Sequence, residues 1–577
     1  MKTKIFKLNF FALILIGLLF SGCSLDEQLY GVATTEGFVK TEADANFVVN
    51  GVYAGLQGYE AYKSCIGSIV MYAGDDLTGT TYTGNNAGVY IMRRFTSTQP
   101  YLLSAWNSYY SVINRANSAM ESIDPVSSIN STTKTKIDGE MYFLRGFCHF
   151  NLVRLFGAIP ISITATKPNE NLHKPRQAVD SVYSQIFKDF QLANQKCVAL
   201  SKQPSTELGR ATKGAAQAML SLAYLTYGNY CDLNGKTADA QINYQQAANW
   251  ADSVLLSNEY TLISNYADLF DVTKEKSAYK EVIFGIQFTR DNLQSAAASR
   301  GSEWTYNTQP AERWGVTGGN LPKGNGNGSV KLQPWFVEQY FTGEYSADYR
   351  SEVSFLTRWS GYDPKTSVAY NYFTFPATST VATDKSQQQP YLNKYIDGKG
   401  LDSRNHENDL FIIRLSEVYL IKAEALNELD KTTEAYIPFN ELRKRARLAN
   451  GTARTTPIDL AAGLDKENFR LAVFNERGLE LVGEGHRYFD CVRMRYPNTN
   501  TTMLQWRYET FYPNLLATQK ALPKWNSTTK TWSEGRVLTD NVQTWDIRYL
   551  LLPIPSGESD ANPMIFNNGL FPQNQGW

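Results

Sequence analysis

Two groups of residues have the types and spacing to do chemistry. Glu476, Glu480 and Glu484 recur every four residues, with Arg477, Arg487 and Asp490 beside them. On a helix this spacing puts all three carboxyls on one face. A pair of carboxyls about 5–9.5 Å apart across a cleft could hydrolyse a glycosidic bond. The same row could equally tie its helix to its neighbours through ion pairs, and its distance in sequence from the aromatic loops favours that structural use. The second group lies in two loops that mix flat rings with polar side chains: Tyr72, Asp75, Asp76, Tyr82 and Tyr90 in one, and Trp304, Tyr306, Arg313, Trp314 and Asn320 in the other. Trp359 and Tyr362, on either side of Ser360-Gly361, form a smaller third set. A sugar offers C–H faces edged by hydroxyls, so it is recognised by rings that stack and by Asp, Asn or Arg that bond the hydroxyls. By analogy with aromatic pairs, each ring contributes on the order of 1 kcal/mol. Trp335 is set apart because it opens an apolar helix and is expected to pack inward.

Other chemistries find little support. Asn234-Gly235-Lys236-Thr237 contains the end of a phosphate loop, but Tyr230 stands where its first glycine belongs. Gly324, Gly326 and Gly328 follow no strand and read as a turn. No GxSxG or HExxH pattern occurs. The four histidines, His149, His173, His406 and His486, are scattered. Apart from Cys23, the cysteines are Cys65, Cys148, Cys197, Cys231 and Cys491, an odd number without CxxC spacing, so no disulfide framework or zinc site is legible. No catalytic residue, metal ligand or cofactor is therefore assigned. The chain has 577 residues and balances 56 Lys+Arg against 56 Asp+Glu. That balance disfavours a nucleic-acid partner, which requires a basic surplus. Aromatic residues make up 13% of the chain, more than a core alone explains.

The elements that must position these residues are mostly helices. Asp409 to Arg447 reads as two helices back to back, with Leu415, Val418, Tyr419, Ile421, Ala425 and Leu426 forming one buried stripe. Tyr419, Ala423, Leu426, Ala435 and Phe439 approximate the large/small alternation of a tetratricopeptide pair, although Lys422 stands where that repeat usually has Leu. Thr41 to Leu56 is predicted as a helix opened by a capping box of Thr41 and Asp44, with Phe47, Val48, Val52 and Leu56 as its apolar face. Further helices are expected at 106–120, 133–156, 177–200, 212–230, 244–256, 334–340, 465–483 and 486–495. Glu281–Thr289 is the one clear strand. Residues 58–100 and 290–331 lack periodicity, and 355–395 mixes short strands with turns.

Several blocks resemble the SusD/RagB family: WNSYYSVINRAN at 106–117, GEMYFLRGFCHFNLVRLFGAIP at 139–160, residues 176–193 and 409–425, NERGLELVGEGHRYFDCVR at 475–493, and the tail from Tyr549 with LLLPIP, NPMIFNN and QNQGW. They follow the family's order along the chain. Asp490-Cys491-Val492-Arg493 departs from the usual Asp-Leu-x-Arg-Trp. The resemblance implies an all-α SusD-like fold, with tetratricopeptide-like pairs as a frame within about 103–257 and 409–495. It also implies an irregular lobe with minor β structure and ligand-binding loops within about 58–100 and 290–380, all in a single domain over 41–577. It implies no reaction, and gives three partners: an oligosaccharide, a SusC-like TonB-dependent transporter that receives it, and the outer membrane. A peptide ligand is the alternative within the family, and a surface glycoside hydrolase lies outside it. The N-terminus agrees. Lys2, Lys4 and Lys7 precede the apolar run Phe10–Phe20, too short to span a bilayer. Phe20-Ser21-Gly22-Cys23 resembles a lipobox with Phe in the usual Leu position. Residues 1–22 would then be a signal peptide and 23–40 a leader. Cys23 would be the lipidated residue, and Ser24-Leu25-Asp26-Glu27 a tag for the cell surface.

Overall fold

The computed structural model describes residues 37–79, 95–290, 300–313, 326–363, 365–366, 368–400, 404–518, 522–534, 544–566 and 569–577. The signal segment, Cys23, Tyr82, Tyr90, Trp314 and Asn320 lie outside them.

Helix α1 (Glu42–Ala54) starts as its sequence dictates. The Thr41 hydroxyl accepts from the Asp44 amide at 3.2 Å, and the Asp44 carboxylate accepts from the Thr41 amide at 2.9 Å. Its buried stripe is Ala45, Val49 and Val52, continued by Leu56. Phe47, expected on that face, is 69% exposed. The 4, 3, 4 spacing of the true stripe turns position 47 towards solvent, so the apolar character of Phe47 misplaced it.

The stretch from 58 to 100 is not wholly irregular. It holds α2 (Cys65–Tyr72), in which all eight residues are buried. A helix covered on every side has no polar face, so periodicity cannot reveal it. It leads into β1 (Leu77–Gly79).

The frame follows as α3 (Pro100–Ile123), α4 (Ser131–Phe156), α5 (Val179–Lys196), α6 (Lys213–Leu233) and α7 (Thr237–Leu255), each packed on the next. Small residues permit the close pairs. Ala247, Ala248 and Ala251 of α7 are buried, and a Cβ at Gly228 of α6 would meet the Tyr244 ring at 2.8 Å. Strand β2 (Val282–Ile286) follows, then the short helix α8 (Trp304–Thr308), β3 (Val330–Leu332) and α9 (Pro334–Gln339). A three-stranded sheet is formed by β4 (Arg358–Tyr362), β5 (Ala369–Thr374) and β6 (Lys385–Gln387), with β5 central. Strand β7 (Leu410–Arg414) pairs antiparallel with β2 and runs directly into α10 (Leu415–Glu428). Helices α11 (Thr432–Ala446), α12 (Lys466–Glu480) and α13 (Arg487–Arg493) complete the second helical group. The protein is thus mostly helical with small sheets.

Helix α10 is more buried than a single stripe requires: twelve of its fourteen residues are covered. Among them are Glu417, Glu424 and Glu428, and each meets an arginine. Arg477 reaches Glu417 at 2.9 Å, Arg493 reaches the second oxygen of Glu424 at 2.9 Å, and Arg470 reaches Glu428 at 2.6 Å. Lys422, the departure from the repeat pattern, faces α7 and pairs with Asp252. Its charge is therefore used in packing.

The Glu476, Glu480, Glu484 row is the centre of this network. Arg350 lies 2.7 Å from Glu476 and 2.9 Å from Glu480. Arg414 contacts Glu480 at 2.6 Å, Glu484 at 2.8 Å and Glu281 at 2.9 Å. Arg443 binds Glu476, Arg445 binds Glu480, and Lys394 binds Glu484. All of these side chains are buried. Burial alone would raise the Glu480 carboxyl, but Arg445, Arg414 and Arg350 outweigh it and hold it well below the usual carboxylate range. Glu476 and Glu484 are lowered by the same balance. A general acid must hold a proton at working pH, and these groups are held ionised. The row is an ion-pair core.

Removing one partner of such a cluster strands the others in a dry interior. Glu480→Gln is expected to lower the unfolding free energy by about 3–5 kcal/mol in urea titration. The network also fixes an acid limb. Against the burial that would raise them, charged partners bring Glu417 and Asp490 down to about 2 from ordinary values of 4.5 and 3.8. Such groups stabilise the fold above their unfolded values and lose that contribution as pH falls through the folded ones. Stability should drop steeply between about pH 4.5 and pH 2, and an unchanged urea midpoint across that interval would contradict the assignment.

Candidate ligand-binding site

The two aromatic loops, some 230 residues apart in sequence, are stitched together by backbone. Strand β1 pairs antiparallel with β3, with Leu77 opposite Leu332, Thr78 opposite Lys331 and Gly79 opposite Val330. The Gln333 amide donates to the Asp76 carbonyl at 2.8 Å, extending the ladder by one bond. The chain enters residues 80–94 from Gly79 and returns from residues 314–325 towards Val330, so both stretches attach at the same end of this ladder. Beside it, Leu332 donates to the Pro390 carbonyl at 2.9 Å, which links the ladder to the segment after β6.

The β4–β5–β6 sheet has a small aromatic core of its own, separate from the main one: Leu356, Trp359, Tyr372 and Tyr391. Trp359 and Tyr372, opposite each other on β4 and β5, stack with centroids 5.4 Å apart and planes 5° from parallel. Tyr391 meets Trp359 edge-on at 5.7 Å. Arg313 bridges to Gly361 across the strand edge. A side chain at 361 would collide with the Glu312 carbonyl, so this approach requires glycine. The Arg313 guanidinium bonds the Asn393 side chain at 2.9 Å and also Gln309. Burial without a facing carboxylate lowers it to about 10, so it remains a cation at neutral pH.

The structure divides the sequence candidates. Tyr306 and Arg313 are half-buried. Tyr362 sits on the same edge, donating its hydroxyl to the Ala311 carbonyl at 3.2 Å. Four others are frame. Trp304 is 1% exposed, and its indole occupies the space that a Cβ on Gly67 of α2 would need. It seats the second loop on the helix below and offers no face for stacking. Tyr72 and Asp76 are buried, and so is Asp75, which binds Arg487 at 2.5 Å and Arg507 at 3.1 Å. The expectation that these four touch ligand is corrected by that burial. Trp359 belongs to the aromatic core of the sheet, with one edge reachable at 7% exposure.

Sequence reasoning passed over Tyr370, whose ring is half-buried beneath the Lys385 ammonium at 3.7 Å. The alternation Tyr370-x-Tyr372 was its signal, a strand period inside a stretch read as mixed. It also missed Trp525 and Trp532, which flank a tight hairpin and pack edge-on against Phe373 at 5.0 and 5.9 Å.

Comparison with known proteins bears on this geometry. The family described as the SusD family matches residues 280–577, which is over half of the chain, and the family described as "Starch-binding associating with outer membrane" matches residues 34–225. The chain belongs to the SusD family. Among curated relatives it is similar to SusD-like protein P2 of Formosa agariphila, with 27% identity over 100% of both chains. A SusD-like protein of Bacteroides ovatus is 24% identical over 92% of this chain and 94% of its own. Among solved structures, a SusD homolog from Bacteroides thetaiotaomicron superposes with a TM-score of 0.74 at 23% identity, covering 94% of this chain and 98% of that one. A structure described as a laminarin-binding SusD-like protein gives 0.64 at 22% identity, covering 93% and 100%. These superpositions establish a SusD-like fold along nearly the whole chain. The buried Glu476–Glu484 network lies inside the region, residues 280–577, that matches the SusD family.

Asp76, buried in the frame beneath the loops, carries a shifted carboxyl. Burial first, and the neighbouring Asp75 charge second, raise it from 3.8 to about 7. Its Oδ1 has no hydrogen-bond partner. For a raised acid, stability is full below the unfolded value and declines as pH rises through the folded one. The wild-type protein should therefore lose stability between about pH 4 and pH 7 relative to Asp76→Asn, and urea titrations of the pair across that range should diverge. Parallel curves would contradict the assignment.

Proposed function

We propose that this SusD-family protein is a glycan-binding lipoprotein of the cell surface that captures oligosaccharide and passes it to a TonB-dependent transporter of the SusC type, without itself catalysing a reaction. One observation carries the reading: the β1–β3 ladder joins two loops rich in aromatic and polar residues, and a sheet edge bearing Arg313, Tyr362 and Trp359 lies beside it. The match of residues 34–225 to a family described as starch-binding and associated with the outer membrane supports a glycan ligand, as does similarity in fold to a protein described as laminarin-binding.

The proposed contacts are Tyr82, Tyr90, Trp314 and Asn320 from the loops, with Tyr306 and Arg313, which are half-buried, and Tyr362 and Trp359, which are 7% exposed, from the described residues. The rings would stack on sugar faces, while Arg313 and Asn320 would bond hydroxyls. A site of this kind is shallow and of modest affinity, so display of many copies on one membrane would raise the effective strength of binding. Anchoring would come from Cys23, whose multiple acyl chains hold a protein to a bilayer where one chain does not.

Calorimetry of the purified protein against laminarin oligosaccharides, maltooligosaccharides and a mixed peptide panel tests the ligand class. Glycan binding that falls about tenfold in Trp314→Ala and in Tyr306→Ala is the expected result, in line with about 1 kcal/mol or slightly more per ring. Unchanged glycan affinity in both folded variants would remove these loops from the site, and binding of peptides alone would move the protein to a peptide-binding role. For the anchor, radiolabelled palmitate should be incorporated in cells making the wild-type chain and not in cells making Cys23→Ala.

A further inference from the structure

Between the ends of several frame helices there is a cavity that shares no lining residue with the loops. It is a half-open cleft of about 320 Å³ between the C-terminal end of α4, the N-terminal end of α5, the C-terminal end of α6, helix α13 and Leu550–Leu551. Its walls are largely apolar or aromatic, with Val153, Val179, Tyr183, Phe489 and Leu551 prominent among them. The volume lies at the small end of the range for sites that enclose small molecules, about 300–1,000 Å³.

One wall carries Arg154, which is half-buried and whose surroundings differ from those of the buried arginines. Arg145, Arg414, Arg443, Arg470, Arg477, Arg487 and Arg493 each face a carboxylate. Arg176 lacks one but is saturated by main-chain carbonyls, including Ala158 at 2.6 Å and Pro572 at 2.8 Å, and by Asn574 at 2.8 Å. Arg154 has neither. Among the described residues its one hydrogen bond goes from Nη2 to the Asn151 side chain at 2.6 Å, and its Nε is buried with no acceptor. The guanidinium is sandwiched by the rings of Phe489 at 3.7 Å and Phe150 at 4.1 Å. Those faces offset part of the cost of removing the charge from water, but they accept no N–H bond in the guanidinium plane.

The neighbouring charges leave Arg154 uncompensated. Arg493, the other cation in the wall, is occupied by Glu424 and Asp490. Glu417 and Glu484, in the interior behind Arg154, are held by Arg477 and His486 and by Arg414 and Lys394. At the mouth, Asp180 pairs with Lys236 at 2.8 Å. Helix α5 opens beside the cavity at Val179 with no side-chain cap, so its first amides add positive potential on the same side.

We propose that this cavity binds a small amphiphile with one carboxylate, the acid group forming a two-point pair with Arg154 and the apolar body lying against Phe489, Val179 and Leu551. A planar guanidinium with unfilled donors is matched by a carboxylate in a bidentate pair. The apolar walls reject a highly hydrated anion such as phosphate. The volume suits a body of medium-chain or single-ring size.

Calorimetry of the purified protein with octanoate, 3-phenylpropanoate, 1-octanol and inorganic phosphate tests the proposal. Saturable binding of one equivalent of octanoate or 3-phenylpropanoate is expected, at least tenfold tighter than 1-octanol and with no phosphate binding; the preferred acid tells whether the body is aliphatic or aromatic. Arg154→Met keeps the length and apolar character of the side chain and should weaken acid binding at least tenfold. Leu551→Trp, which fills the cavity while leaving Arg154 in place, should do the same and carries the test if Arg154→Met does not fold. No binding of either acid at millimolar concentration, or binding undiminished in the folded variants, would overturn the proposal. Glycan affinity measured on the same variants should be unchanged, which separates this site from the loop site.

Discussion

The architecture depends on a cluster of charges placed where charges are ordinarily excluded. Arg414 is the junction: at the end of β7 and the start of α10, it touches Glu281 before β2, Glu480 at the end of α12, and Glu484 beyond it. Three segments distant in sequence thereby share one guanidinium. Such a cluster is not a strong source of net stability, because each ion gives up its hydration before it gains its partners. What it adds is a steep penalty for misplacement. A shifted helix would leave several buried ions unpaired at once, so the relative positions of β7, α10, α12 and the segment around Arg350 are tightly specified.

That frame explains why aromatic residues in the loop lobe divide into two kinds. Trp304, Tyr72 and the Trp359–Tyr372 stack convert loops into packed structure. Trp304 presses on Gly67 of α2, while the stacked pair gives the three-stranded sheet its own small core. Tyr306 and Tyr370 are held near the surface by that packing. A binding platform requires both kinds, since a ring offered to a ligand gains little if the ring itself must first be ordered. The backbone ladder between β1 and β3 performs the same service for the two long loops, fixing their roots to each other.

The main helices were legible because long amphipathic patterns are the strongest local signal, and the capping box at Thr41 even marked a start. Failures occurred where burial is two-sided. Helix α2 has no polar face, so its apolar run gave no helical period. In α10, polar positions that a one-stripe reading sends to solvent are buried, because their partners come from α12 and α13. At Phe47 the reverse happened, since hydrophobicity at one position could not override the phase of the stripe formed by Ala45, Val49 and Val52. The structural use of the Glu476–Glu484 row was readable from its helical spacing, yet the identity of its partners was not: Arg350, Lys394 and Arg414 lie 60 to 130 residues away in the chain.

By itself the sequence determined the helical frame, the family to which its ordered blocks point, the balance of charge that disfavours nucleic acid, and the two stretches in which rings and polar groups concentrate. Each of these follows from composition or from spacing within one segment. Only the tertiary structure decided which rings are walls and which are surface, which arginines are neutralised, and that one of them, Arg154, is left facing a cavity. Exposure and charge pairing are set by contacts between segments far apart in the chain, and a residue's type alone does not say what will cover it.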